Sequence, residues 1–102
     1  MGFAFEYAKT NAIELQVDYP YTAWDGTCEF DSAKGKVKVS SYVKVEPNNP
    51  AALQAAVAEG PVSVAIQADS WVFQSYGGGI ISSKNCGTDL DHGVLLIGYG
   101  TQ

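Results

Sequence analysis

The stretch Leu90-Asp91-His92-Gly93-Val94-Leu95-Leu96-Ile97-Gly98-Tyr99-Gly100 decides how this chain reads. It holds the only histidine, and that residue opens an apolar run closed by glycines. A short apolar run between such breakers predicts a strand over 93–99. Val94 to Ile97 do not alternate with polar residues, so both faces of the strand are expected to be covered. Imidazole exchanges protons readily near neutral pH. A titratable group is thus expected at the mouth of a strand. Taken alone, a histidine beside an apolar run is more often a core or surface residue than a catalytic one.

With 102 residues, the chain is sized for one small domain. Hydrophobic residues make up 46% and charged residues 17%, which favours a folded core over disorder. The net charge of −5 argues against nucleic-acid or anionic-membrane binding, because both need clustered Lys and Arg. The apolar runs are too short to span a bilayer. Met1 is followed by Gly-Phe-Ala-Phe-Glu, with no basic leader region, so any targeting segment is expected upstream. Cys28 and Cys86 with one histidine make no zinc site, and there is no C-x-x-C. No metal or cofactor is expected. The two cysteines leave three readings open: buried thiols, a Cys28–Cys86 bridge, or pairing with cysteines elsewhere.

Outward from the histidine run, local signals predict the other elements. Phe3 to Asn11 reads as a helix, with Phe3 and Tyr7 at i and i+4 and Asn11 ending it. Val17-Asp18-Tyr19-Pro20-Tyr21 is extended, and Asp25-Gly26 marks a turn. Lys36 to Glu46 alternates, with Val37, Val39, Val43 and Val45 on one face, and predicts a half-buried strand. Asn49 and Pro50 begin a helix whose buried stripe is Leu53, Ala56 and Val57, and Gly60-Pro61 end it. Val62, Val64 and Ile66 alternate with Ser63, Ala65 and Gln67 in a further strand. Trp71 to Tyr76 reads as a short aromatic turn or helix, expected to serve core and rim packing. Ile80-Ile81 reads as a short strand. The fold class is α+β with an antiparallel sheet.

Several stretches together resemble the papain-like cysteine proteases, the cathepsin L group in particular. Leu-Asp-His-Gly-Val-Leu-x-x-Gly-Tyr-Gly is similar to that family's histidine strand almost position by position. In the same order, Ala4-Phe5-Glu6-Tyr7, Tyr19-Pro20-Tyr21 with Gly26-Thr27-Cys28, and Gly60-Pro61-Val62-Ser63-Val64-Ala65-Ile66 resemble family segments. So do Phe73-Gln74-Ser75-Tyr76 with Gly79-Ile80, and Asn85-Cys86-Gly87. The resemblance runs from about Phe3 to Gly100. It implies that residues 1–35 belong to the family's helical left domain and crossing segment. Residues 36–102 would be the first half of its β-rich right domain.

The resemblance also implies roles. His92 corresponds to the general base, and later acid, for a cysteine nucleophile. Met1, Ala65, Leu90 and Gly93 match positions lining the pocket for the residue two before the scissile bond, and Asp91 flanks the site. Core packing is the competing reading for Ala65 and Leu90. The family's nucleophile lies in a Cys-Gly-Ser/Ala-Cys-Trp/Tyr segment, with the histidine roughly 130–150 residues downstream. Neither cysteine here has those neighbours, so the nucleophile is expected on the order of 40 residues or more before Met1. The family's oxyanion glutamine is expected upstream too, and its Asn-Ser-Trp-Gly segment beyond Gln102. The chain is therefore expected to be a middle slice holding one triad residue of three. Cys28 and Cys86 would pair with cysteines outside it. The expected partners are protein or peptide substrates, the remainder of the protease chain, and further copies meeting at open strand edges. The implied setting is lysosomal, vacuolar or secreted, where disulfides persist. A non-catalytic homologue is the alternative.

Overall fold

The structure, a computed structural model, describes residues 1–101. Gln102, the last position of the expected β-rich segment, lies outside the described residues. The order of elements is α1 (Gly2–Thr10), α2 (Pro50–Glu59), β1 (Val62–Ile66), α3 (Trp71–Gln74) and β2 (His92–Leu96). The class is α+β with an antiparallel sheet, as the sequence predicts. The chain divides into two compact units, Met1–Lys44 and Val45–Gln102.

In the first unit, α1 packs through Ala8, which is buried. Phe5 stacks on Tyr42 with centroids 5.3 Å apart, and Tyr7 meets Phe30 edge-on at 5.9 Å. Asn11 stops the helix as expected: it turns extended while its backbone N–H and side-chain amide donate to the Tyr7 carbonyl. The chain then returns to the helix end, with Ile13 bridging Val37 and the Val39 N–H donating to the Ala8 carbonyl. Gly35 permits this return, since a Cβ there would lie 2.6 Å from the Ala12 Cβ.

The strand expected over Lys36–Glu46 does not form. Its backbone bonds to the rest of the unit are those of Lys36 and Val37 with Ile13, around the single bridge, and the one from Val39 to Ala8. Val43 is 89% exposed, whereas Tyr42, expected on the wet face, is half-buried against Phe5. Alternation reports an extended backbone, but a strand also needs a neighbour to complete its ladder.

In the second unit, α2 begins as its sequence dictates. The Asn49 Oδ1 accepts the Ala52 N–H at 3.0 Å, and Pro50 occupies the first turn, where a missing N–H costs nothing. The Asn49 amide also donates to Glu46 at 2.7 Å. Val57 is buried, and Leu53 and Ala56 are half-buried beside it. β1 then pairs antiparallel with β2, from Val62 opposite Leu96 to Ile66 opposite His92. α3 is one short turn that buries Val72. Trp71 and Tyr76 are exposed and Phe73 half-buried, so this aromatic turn is rim more than core. Ile80-Ile81 forms no strand.

β2 also departs from expectation, because it is covered on one face only. Val94 and Leu96 are half-buried with Val62, Val64 and Ile66, while Leu95 is 57% exposed. The unbroken apolar run led to the expectation of two covered faces. Among the described residues the sheet has two strands, and nothing buries the Leu95 side.

The Asn49 cap yields a prediction. Asn49→Ala removes the acceptor for the Ala52 N–H and should destabilise the fold by about 1 kcal/mol in urea melts, whereas Asn49→Ser should stay within a few tenths. Equal loss in both variants would show that the cap bond is not what Asn49 contributes.

Candidate functional site

Directly opposite residues of an antiparallel pair share a face. The register therefore sorts the site residues. Ala65 lies opposite Gly93 and Ser63 opposite Leu95, all exposed. His92 lies opposite Ile66, on the face of Val64 and Val94. As the first residue of β2, His92 is nonetheless exposed, beyond the half-buried side chains of that face. The structure thus places Ala65, His92 and Gly93 at the same end of a two-stranded sheet, His92 on one face and the Ala65–Gly93 pair on the other, with Asp91 and Leu90 leading into it.

Ala65 and Leu90 are both exposed, Leu90 at 61%. Met1 belongs to the first unit, where it caps α1 and is half exposed. Both thiols are free: Cys28 is exposed, and Cys86 is half-buried with its Sγ 3.2 Å from the Ser83 carbonyl. Among the described residues no group of His, Cys, Asp and Glu could hold a metal ion.

Asp91 has a definite structural task. Its Oδ1 accepts the Ala68 N–H at 2.7 Å and its Oδ2 the Asp69 N–H at 3.1 Å. Its own N–H donates to the Ile66 carbonyl at 3.1 Å. One residue therefore ties the exit of β1 to the entry of β2. The bond from Ala68 is the main cause holding the Asp91 carboxyl below the ordinary carboxylate range. Desolvation opposes this, while the Asp69 N–H and the neighbouring His92 add to it.

A second tie runs alongside. The Gln67 Oε1 accepts the Asp89 N–H at 2.9 Å, and its Nε2 donates to the Asp69 Oδ1 at 2.9 Å. Gly87, at φ 80°, sits against that amide, and any side chain there would run into it. In the sequence Gln67 is simply the outward residue after an alternating strand. Its partner is 22 residues away, and no local pattern points to it.

At the other end of β2, about 13 Å along the strand from His92, an open groove of about 520 Å³ is lined by Leu53, Val57, Leu96 and Tyr99 among others.

The antiparallel pair with its exposed histidine defines a class once the chain is set beside known proteins. A profile described as papain family cysteine protease matches residues 1–102. This chain belongs to the papain family of cysteine proteases. It is 44% identical over its whole length to a probable cysteine protease, RD21B, of Arabidopsis thaliana, covering 22% of that protein. To a low-temperature-induced cysteine proteinase of Solanum lycopersicum it is 46% identical, also over its whole length, covering 30% of that protein. The chain thus spans between a fifth and a third of the length of these relatives. Among solved structures, the Carica candamarcensis cysteine protease CMS1MS2 in complex with E-64 is similar, with a TM-score of 0.83 and 36% identity. That match covers 96% of this chain and 46% of the Carica chain. Digestive procathepsin L 3 of Tenebrio molitor gives a TM-score of 0.84 at 36% identity, covering 97% of this chain and 33% of its own. The fold is accordingly a partial papain-like α+β fold.

Asp91 carries a pH prediction. A carboxyl depressed in the folded state stabilises the fold above its unfolded value and loses that contribution as pH falls through the folded one. Urea melts should therefore show stability falling below about pH 4. In Asp91→Asn this part of the acid dependence should vanish and stability at neutral pH should drop. An unchanged acid profile in that variant would mean that other carboxyls carry it.

Proposed function

We propose that these residues supply the general base and part of the substrate-facing wall of a papain-like cysteine endopeptidase. The observation that carries this reading is the exposed His92 at the head of β2, braced by Asp91 and set beside the open Ala65–Gly93 pair. In the proposed reaction the His92 imidazole takes the proton of a cysteine thiol. The thiolate adds to the peptide carbonyl, and the imidazolium then protonates the departing amine. Gly93, lacking a side chain, leaves room for substrate backbone. Ala65 and Leu90 would line an apolar pocket for the residue two before the scissile bond, which suits Leu or Phe there. Asp91 flanks the site and braces it.

The nucleophile, the oxyanion donor and the asparagine that orients the imidazole would come from residues other than these 102. Cys28 and Cys86 would likewise pair with cysteines elsewhere in the same protease. A lysosomal, vacuolar or secreted setting fits that chemistry. On its own, the chain is proposed to be inactive.

Two measurements test this. The isolated chain should not turn over a fluorogenic peptide bearing Leu second from the cleavage point, and turnover abolished by His92→Ala would overturn that expectation. Placed in the Solanum lycopersicum proteinase in exchange for its matching stretch, the chain should give an active hybrid. His92→Ala should lower the hybrid's kcat about 10³-fold or more. A hybrid indifferent to that substitution would sink the assignment.

The exposure of Leu95 at 57% and Ile97 at 77% supports a second reading, self-association through the β2 edge. Light scattering of the isolated chain should then show a dimer or larger species. A monomer mass at every concentration would exclude this.

A further inference from the structure

The bonds in front of His92 form two sets that share one residue, Asp69, whose N–H serves the first and whose carboxylate serves the second. One set holds the histidine: the β1–β2 register, the Asp91 N–H on the Ile66 carbonyl, and the Asp91 carboxylate on Ala68 and Asp69. The other set belongs to Gln67 and ends on the Asp89 N–H, one residue before Leu90. It touches neither Asp91 nor His92. We propose that Gln67 is a positioning residue for substrate selection, fixing the Leu90 wall through Asp89 while leaving the His92 geometry to Asp91. This rests on the role given to Leu90 above.

The chemistry of the neighbours sets which way the Gln67 amide points. The Asp69 carboxylate can only accept, so the atom facing it must be the Nε2 donor. That leaves Oε1 turned toward the Asp89 N–H. Gly87 completes the fit: at φ 80° it lets the chain pass against the amide where a side chain would displace it. Gln67 is half-buried, while its two bonds lie at the exposed surface. Leu90, by contrast, is largely exposed and sits between the bonded N–H groups of Asp89 and Asp91. Releasing the Asp89 N–H should therefore loosen the wall without loosening the base.

Kinetics of the active hybrid separate these parts. Gln67→Met keeps the length and packing but not the bonds. It should raise KM for the Leu-bearing peptide about tenfold, as expected when, of the two bonds lost, the one to the Asp89 N–H is what holds the wall. Its kcat should stay within twofold. Preference for Leu over Ala at that position should shrink by a similar factor. Gln67→Glu should also raise KM, because a second carboxylate would face Asp69. Adding Asp69→Asn should return KM to within twofold of the starting protein, since the new amide can donate to the glutamate. Unchanged KM in the Met variant, a fall in kcat with KM held, or no recovery in the double variant would each overturn the proposal. Should the variants not fold, hydrogen exchange of the unmodified hybrid decides. The Asp89 amide should exchange at least tenfold more slowly than the Thr88 amide, and equal rates would overturn the proposal. An inactive unmodified hybrid would count against the function proposed above, while exchange at Asp89 would still keep or refute the clasp.

Discussion

The register between Val62–Ile66 and His92–Leu96 is the constraint on which the site depends. Side chains alternate across a sheet, so a slip of one residue would exchange the faces of every residue on the moved strand. His92 would leave the face of Val64 and Val94, and Gly93 would no longer oppose Ala65. The half-buried triplet Val62, Val64 and Ile66 resists that slip, since it would put their apolar surface into water. What chooses the register is therefore burial, although the residues it places are exposed.

Burial alone would leave the end of the sheet frayed, because His92 is the last pairing. The Asp91 carboxylate closes that end by accepting two N–H groups from the segment that leaves β1. Charge-assisted bonds of this kind are stronger than neutral ones. The negative charge also stands next to the only imidazole, and the two interact favourably when His92 is protonated. Structural bracing and the electrostatics of the site thus come from one side chain.

Much of this was legible in the sequence because the relevant signals are local. The cap chemistry of Asn49-Pro50, the alternation of Val62 to Ile66 and the stop at Asn11 each need only a few neighbours. Each element appears within a residue or two of where those signals put it. The family motifs were legible for the same reason. What could not be read depended on partners distant in the chain. The valines of Lys36–Glu46 alternate as a strand does, yet only Val37 finds a bridge. The Val94–Ile97 run is as apolar as a strand covered on both sides, yet one side is open. Gln67 looks like any polar residue at a strand end until the chain brings Asp89 to it.

The long connection between β1 and β2 also orders events in time. α2 is built from local contacts and can form within about a microsecond, whereas the sheet must wait until the chain through Leu96 exists. At about 5–20 residues per second of synthesis, Val62–Ile66 waits on the order of seconds with its edges open. That is far longer than the microseconds a wrong hairpin needs. Pro61, at the threshold of β1, offers no N–H to an incoming strand. The Gly60-Pro61 pair that ends α2 thus also narrows the ways a half-made chain can mispair before its proper partner arrives.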